Sequence, residues 1–253
     1  MRHGSTLRGG RKGVSGRSHR TSLSLAEVTA RIDYDSSVVG YGRQLTALAV
    51  ALSGLAGFVD ALGFITLGGV FVSFMSGNST RLSVGLAEGT WGPAALTAGV
   101  IGLFLVGVVL GGVVAQLSDR SRRARKTAVL ATVSALLLLG ALAHTAGWTP
   151  VAVVAMTLAM GAENSVFQRD GEVSVALTYM TGALVKIGQR LAAAMFGGPR
   201  WTWLPYLGLW LGLVTGAVGG AAAHRMLGLH ALWIATAAAV ALTLAVRHLP
   251  YRP

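Results

Sequence analysis

Two carboxylates, Asp60 and Glu163, lie inside long runs of apolar residues, and Asn164 directly follows the second. An ionisable side chain in such a run is costly to bury, at least about 2.5–3.5 kcal/mol on membrane-insertion scales, and it usually serves a pathway or a partner. One interpretation is a proton or cation site. The other is a polar clasp, in which Asp60 accepts a hydrogen bond from Asn164 or from a backbone N–H.

A second group of polar residues interrupts the apolar run around Ser76, Gly77 and Asn78, and Thr181 and Gly182 form a thinner counterpart later in the chain. A small residue before a glycine permits a helix to unwind, and the freed backbone groups can then face a solute or an ion. The same residue types equally fit close helix packing with interhelical hydrogen bonds. Together the two groups give the candidate solute- or ion-binding residues Asp60, Glu163, Asn164, Ser76, Gly77, Asn78, Thr181 and Gly182.

Other chemistries find little support in the sequence. The absence of cysteine excludes a disulfide framework, thiol catalysis and cysteine metal sites. The histidines lack the i, i+4 spacing with a carboxylate that a helical zinc site shows, and no nucleotide-binding loop or nucleophile elbow occurs in a fitting context. The sequence therefore predicts no enzyme, no metal and no cofactor.

The composition indicates which elements must position these residues. Hydrophobic residues make up 53% of the 253-residue chain and charged residues 12%, against about 25% charged in an ordinary soluble protein. The apolar residues come in long runs, and the 35 glycines are typical of closely packed membrane helices. We expect an all-α polytopic membrane protein whose main partner is the lipid bilayer.

Eight apolar segments follow one another from residue 45 onward. Six approach the roughly 20 residues that span a bilayer: A (45–67), C (94–117), D (128–146), E (150–167), G (204–223) and H (230–246). Segment B (70–86) is short and polar in its middle, and segment F (173–196) is interrupted by Lys186, Gln189 and Arg190. Segments B and F are therefore weaker candidates for membrane crossings.

The chain also repeats itself. Gly57-x-x-Asp60 recurs as Gly161-x-x-Asn164, and Met75-Ser76-Gly77 recurs as Met180-Thr181-Gly182. Further matches align segment C with segment G, so that offsets of 104 to 106 residues hold throughout. We interpret the pattern as an internal duplication in which A-B-C-D corresponds to E-F-G-H.

Basic residues choose between two topologies. One cluster lies in residues 1–43, and a second comprises Arg120, Arg122, Arg123, Arg125 and Lys126. If B and F are short broken or re-entrant segments, six transmembrane helices keep both clusters and both termini in the cytoplasm, as the positive-inside rule prefers. The two repeats are then inverted, which in transporters puts the site at the repeat interface near the membrane midplane. The alternative is eight crossing helices in two parallel repeats.

The chain divides accordingly into a disordered basic cytoplasmic tail (1–43), a first membrane repeat with a basic loop (44–127), a linking transmembrane helix (128–149) and a second repeat with the last helix (150–253). The basic clusters could contact anionic lipid or nucleic acid. A topology signal explains them better, because both abut apolar segments and neither is interleaved with aromatics. We therefore expect no nucleic acid, while anionic lipid at the tail and an oligomer remain open.

The run Gly57–Phe64, followed by Gly69-Val70-Phe71 and Met75-Ser76-Gly77-Asn78, resembles the signature of the YoaK-like family of bacterial integral membrane proteins. Gly161-Ala162-Glu163-Asn164 and Thr178-Tyr179-Met180-Thr181-Gly182 are similar to its second motif, and the resemblance covers about residues 44–248. It implies about six spans in the inner membrane and no established activity. Two departures stand out: Glu163 replaces an amide, and Ser76 replaces threonine.

Two functions remain open at this point. The first is a small secondary transporter or permease for an unknown solute or ion, with the candidate residues around a central site. The second is a non-transporting scaffold or accessory subunit, in which the same residues only hold helices together.

Overall fold

The computed structural model describes residues 43–118, 121–169, 172–173 and 180–248. Apart from Arg43, the predicted disordered tail lies outside the described residues, as do Arg120, Thr178 and Tyr179.

The described residues form eight α-helices. These are α1 (Arg43–Thr66), α2 (Met75–Ala87), α3 (Trp91–Leu117), α4 (Arg122–Thr145), α5 (Thr149–Glu163), α6 (Met180–Met195), α7 (Leu204–Leu227) and α8 (Leu232–His248). A 3-10 turn, Asn164–Phe167, extends α5, and another, Gly228–Ala231, joins α7 to α8. Two short strands, Gln168–Arg169 and Glu172–Val173, pair antiparallel after α5. The expected all-α polytopic architecture is confirmed.

Five helical stretches in this part of the chain are long and apolar enough to cross a membrane, and the last of them, Leu204–His248, contains both α7 and α8. Six long helices therefore correspond to the predicted segments A, C, D, E, G and H. Helix α2 has 13 residues, or about 20 Å at 1.5 Å per residue, and falls short of the roughly 30 Å hydrocarbon core. Helix α6 has 16 residues and carries Lys186 and Arg190 in its middle.

Helices α1 and α7 make the most extensive contact between any two described helices. Glycine permits it: a Cβ atom at Gly57 would overlap the carbonyl oxygen of Leu213, and one at Gly216 would overlap that of Gly54. The buried hydroxyl of Ser53 donates to the carbonyl oxygen of Leu209 at 3.0 Å. In lipid, such close backbone approach replaces the hydrophobic effect as the force that holds helices together.

Helices α3 and α5 cross in the same way. A Cβ atom at Gly161 would overlap the carbonyl oxygen of Phe104, and one at Gly107 would overlap that of Leu158. Helices α4 and α8 flank these two crossings and pack against each other. The buried core is correspondingly built from small and branched side chains of α1, α4, α5 and α8.

Helix directions decide between six and eight crossings. Near the start of α4, Arg123 Nε donates to the carbonyl oxygen of Val246, which lies near the end of α8 (3.3 Å). At the other end of the pair, Trp233 Nε1 donates to Thr145 Oγ1. The two helices are therefore antiparallel. If α5, α6 and α7 all crossed between them, α4 and α8 would be parallel, so α6 does not reverse the chain.

The directions of α1 and α7 indicate in the same way that α2 does not cross. Gly212 lies against Val50, and Gly220 lies against Phe58, so residue numbers rise together and the helices are parallel. With α6 not crossing, this direction requires that α2 does not cross either. Helices α1, α4 and α7 run one way, and α3, α5 and α8 run the other. The alternative of eight crossing helices in parallel repeats is wrong.

One predicted boundary also needs correction. The basic cluster was expected in a loop, but α4 begins at Arg122, where Ser121 Oγ accepts a hydrogen bond from Ala124 N–H as the N-cap. The cations therefore occupy the first turn and a half of a helix. We call the side of the bundle at which α4 begins and α8 ends the basic end.

Candidate functional site

Asp60 holds the chain that links α1 to α2. Its Oδ1 accepts hydrogen bonds from the backbone N–H groups of Val72 (2.7 Å) and Ser73 (2.8 Å). The linker leaves α1 after Thr66 and turns at Gly68 and Gly69, whose φ angles of 64° and 99° favour glycine. Of the two partners considered from the sequence, Asp60 therefore has the backbone N–H, and Asn164 is not among its hydrogen-bond partners in the described part of the chain.

Asn78 clamps the same linker from the other side. Its Oδ1 accepts from Phe71 N–H at 3.0 Å, and its Nδ2 donates to the Phe71 carbonyl oxygen at 2.6 Å. A Cβ atom at the neighbouring Gly77 would meet the ring of Phe74 at 2.6 Å, so glycine leaves room for that aromatic side chain. These residues hold a non-helical segment in place. The backbone groups of a re-entrant segment need hydrogen-bond partners within the protein, and Asp60 and Asn78 supply them.

Glu163 has a different environment. It is the last residue of α5, is 0% exposed, and neither carboxylate oxygen has a hydrogen-bond partner among the described residues. Its neighbour Ala162 lies against Gly111 of α3, where an added Cβ would be 2.7 Å from the Ala162 carbonyl oxygen. An ionised carboxylate is very unfavourable in such a place unless a partner compensates its charge. A buried acid without a partner can accept and release a proton when its surroundings change.

Asn164 follows in the 3-10 turn and is buried, with 8% of its surface exposed. Its Nδ2 donates to the carbonyl oxygen of Met160 at 3.0 Å. It therefore ties the end of α5 to the preceding turn.

Ser76 and Thr181 lie in the first turns of α2 and α6, and both are exposed. Gly182, next to Thr181, is half-buried. None of the described contacts joins Ser76, Thr181 or Gly182 to Asp60 or Glu163.

The two carboxylates lie in opposite halves of the bundle. Asp60 is six residues past Gly54, at the middle of α1, and Glu163 is five residues past Leu158, at the middle of the α5 stretch. At 1.5 Å per residue these positions are about 9 Å and about 7 Å from the helix centres. Because α1 and α5 run in opposite directions, the offsets point to opposite ends. These offsets argue against the predicted meeting of the two sites near the midplane.

One buried charged residue was not predicted. Lys126 of α4 is 7% exposed, and its Nζ lies 4.5 Å from the centroid of the Phe167 ring, a cation–π arrangement. Helical spacing was the available signal. Lys126 shares a stripe with Leu130, Val133 and Leu137, all fully buried, but its place in the basic cluster favoured a surface interpretation.

The fold and the apolar helices define a multi-pass α-helical membrane protein. The chain belongs to the family described as protein of unknown function DUF1275, whose sequence profile matches residues 48–245. It is similar to the UPF0700 transmembrane protein RA0705 of Rhizobium meliloti strain 1021, at 39% identity over 206 residues, which cover 81% of this chain and 88% of that protein. No solved structure matches the chain. Neither name states an activity.

Proposed function

We propose that the protein is a small proton-linked secondary transporter or permease, with Glu163 as the proton-carrying acid. The observation that carries the proposal is the complete burial of Glu163, whose two carboxylate oxygens have no hydrogen-bond partner in the part of the chain that the structure describes. A residue with only a structural role gains stability from its partners, whereas an unpartnered buried acid destabilises the fold. Such groups in membrane proteins typically mark ion or proton pathways.

Asp60 and Asn78 have a supporting role in this proposal. Their hydrogen bonds to residues 71–73 hold the non-crossing linker before α2. Ser76 and Gly77 begin the helix that follows. In the proposed duplication, Asn164, Thr181 and Gly182 are the sequence counterparts of Asp60, Ser76 and Gly77. A solute path between the two re-entrant segments would pass between Asp60 and Glu163.

The helix contacts support the inverted duplication on which this path depends. Gly57 against Leu213 matches Gly161 against Phe104, and Gly216 against Gly54 matches Gly107 against Leu158. In both matches the α1 residue and its α5 counterpart are 104 apart, and the α3 and α7 residues are 109 apart. A third match pairs Gly220 and Phe58 with Gly111 and Ala162. Inverted repeats of this kind are a common transporter architecture.

Transport by reconstituted protein tests the proposal. Proteoliposomes with an imposed pH gradient would be incubated with a mixture of small metabolites, and the accumulated solutes identified by mass spectrometry. We expect at least one solute to accumulate only when the gradient is present. Glu163→Gln should abolish that accumulation. Equal accumulation in the native protein, the variant and empty vesicles would contradict transport.

The scaffold remains the second candidate, and one observation favours it. Asp60, the more conspicuous acid in the sequence, accepts its hydrogen bonds from the protein's own backbone. If Asp60 and Glu163 both act structurally, the protein should co-purify with a stoichiometric membrane partner and show no gradient-dependent uptake. Mild-detergent purification followed by mass measurement of the intact complex separates the two functions.

Several narrower parts of the proposal rest on the sequence. They are a bacterial inner-membrane location with both termini cytoplasmic, kinship with the YoaK-like proteins, the absence of enzymatic activity and of a cofactor, and the domain division at residues 43, 127 and 149. The cations at the start of α4 and the end of α8 support the orientation, because cytoplasmic loops and helix ends are enriched in Lys and Arg.

A further inference from the structure

A groove opens on the side of the bundle at the basic end. It has a volume of about 710 Å³ and lies between the end of α3, the first three turns of α4 and the end of α8. This volume is in the range of small-molecule sites. The groove does not include Asp60, Glu163 or the other candidate transport residues.

The mouth of the groove is cationic. Arg123 and Arg247 line it from two different helices. Arg123 Nε donates a hydrogen bond to the carbonyl oxygen of Val246. Because Val246 directly precedes Arg247, this bond holds the Arg123 guanidinium one residue away from Arg247. Within the described ranges this is the side-chain hydrogen bond that Arg123 makes, so its terminal NH₂ groups are available to an anion. Ser118 and Ser121 add hydroxyl groups to the same mouth.

The wall of the groove is mainly apolar. Ala124, Ala128 and Ala131 line it along α4, with Thr127 as the one polar residue among them, and Leu117 of α3, which is 82% exposed, lies opposite. From Ala124 to Ala131 the wall extends about 10 Å along the helix. The polarity therefore changes from two cations at the helix ends to alkyl groups deeper along the bundle.

We propose that this groove binds one anionic phospholipid of the surrounding membrane, with its phosphate at Arg123 and Arg247 and the start of an acyl chain along the alanines. Two guanidinium groups suit a phosphate diester, since each donates paired hydrogen bonds to oxygen. Basic pockets between transmembrane helices on the cytoplasmic side characteristically bind lipid head groups. A free phosphate would use the mouth alone and would leave the apolar wall unexplained.

Native mass spectrometry of the full-length protein in detergent tests the proposal. Phosphatidylglycerol and phosphatidylcholine with identical acyl chains would be titrated separately. We expect one phosphatidylglycerol to bind with clear preference. In Arg123→Gln/Arg247→Gln the affinity should fall about 30-fold, from two cation contacts. Ala128→Leu should also weaken binding, because it fills the groove without changing the charge.

Arg122→Gln is the matched control, because Arg122 lies one residue before Arg123, is exposed, and does not line the groove. We expect it to bind phosphatidylglycerol like the native protein. Equal loss in Arg122→Gln and in the double variant would overturn the proposal in favour of diffuse charge attraction. Displacement of the lipid by millimolar inorganic phosphate, with no effect of Ala128→Leu, would overturn it in favour of a free-anion site. Equal binding of both lipids would exclude head-group recognition.

Discussion

Asp60 accepts a hydrogen bond from the backbone N–H of Val72, 2.7 Å away and twelve residues further along the chain. The same oxygen accepts from Ser73, so one carboxylate satisfies two consecutive donors of a non-helical segment. Backbone donors at this depth have no water to turn to. Asp60 thereby allows the chain to turn back before α2.

Replacement of Asp60 tests this role. Asp60→Leu should lower the free energy of unfolding by about 1–3 kcal/mol, because the N–H groups of Val72 and Ser73 lose their hydrogen-bond acceptor. We expect the lower end of this range, because hydrogen bonds in membrane proteins average below 1 kcal/mol. Asp60→Asn keeps an acceptor oxygen and should change stability little. Thermal unfolding in detergent measures both. Equal stability of the leucine and native proteins would argue against the clamp.

Glu163 should behave in the opposite way. Glu163→Leu removes a buried, unpartnered carboxyl group and fills similar space, so it should raise stability by about 1–3 kcal/mol while eliminating proton-linked uptake. Glu163→Gln should fold but gain no stability, since its amide donors also lack partners. The comparison uses thermal unfolding of the three proteins. A destabilised leucine variant would mean that the carboxyl group has a favourable partner in solution.

Close helix crossing gives a third prediction. Gly57→Ala and Gly161→Ala should each destabilise the protein by about 1–3 kcal/mol, since the new methyl group meets backbone on the facing helix and neither helix can yield locally. Gly112→Ala is the control, because a Cβ atom there meets nothing within 4 Å. Urea or thermal unfolding would rank the variants. A control as unstable as Gly57→Ala would assign the loss to something other than the crossing.

Single-cysteine labelling tests the membrane orientation. The native chain lacks cysteine, so Ser121→Cys, Arg200→Cys and Gly147→Cys each carry one thiol at an exposed position. An impermeant reagent added to intact cells should label position 147 and leave 121 and 200 unlabelled until the cells are opened. Labelling of position 121 in intact cells would reverse the proposed orientation.

The sequence predicts the long helices well and their contacts poorly. Apolar runs near 20 residues located all six, with ends within a few residues except at α4, where the helix continues through Arg122–Lys126. A backbone N–H was one of the two partners that the sequence suggested for Asp60, but the identity of the donors, Val72 and Ser73, was not predictable, because it depends on how the glycine turn at 68–69 returns the linker. The sequence also did not predict which helices contact each other, such as α1 with α7 and α3 with α5.

The proposed duplication shows how the offset between matching residues in the sequence can differ from the offset between matching contacts. The sequence comparison matched segment C with segment G at an offset of 104 to 106 residues. The contacts instead pair Gly107 with Gly216 and Gly111 with Gly220, each 109 residues apart. Both helices are rich in glycine, so several registers align almost equally well. The registers are distinguished only by which backbone carbonyl group each glycine contacts on the facing helix.

The tight crossing of α1 and α7 has a consequence for synthesis. Gly54 and its partner Gly216 are separated by most of the chain, so at about 5–20 residues per second the ribosome needs roughly 8–32 s to deliver the second after the first. During that time α1 stands in or beside the lipid with Ser53 and its glycine face uncovered. We therefore expect a nascent chain arrested before residue 204, in which α1 lacks its α7 partner, to be degraded faster by membrane proteases than the full-length protein.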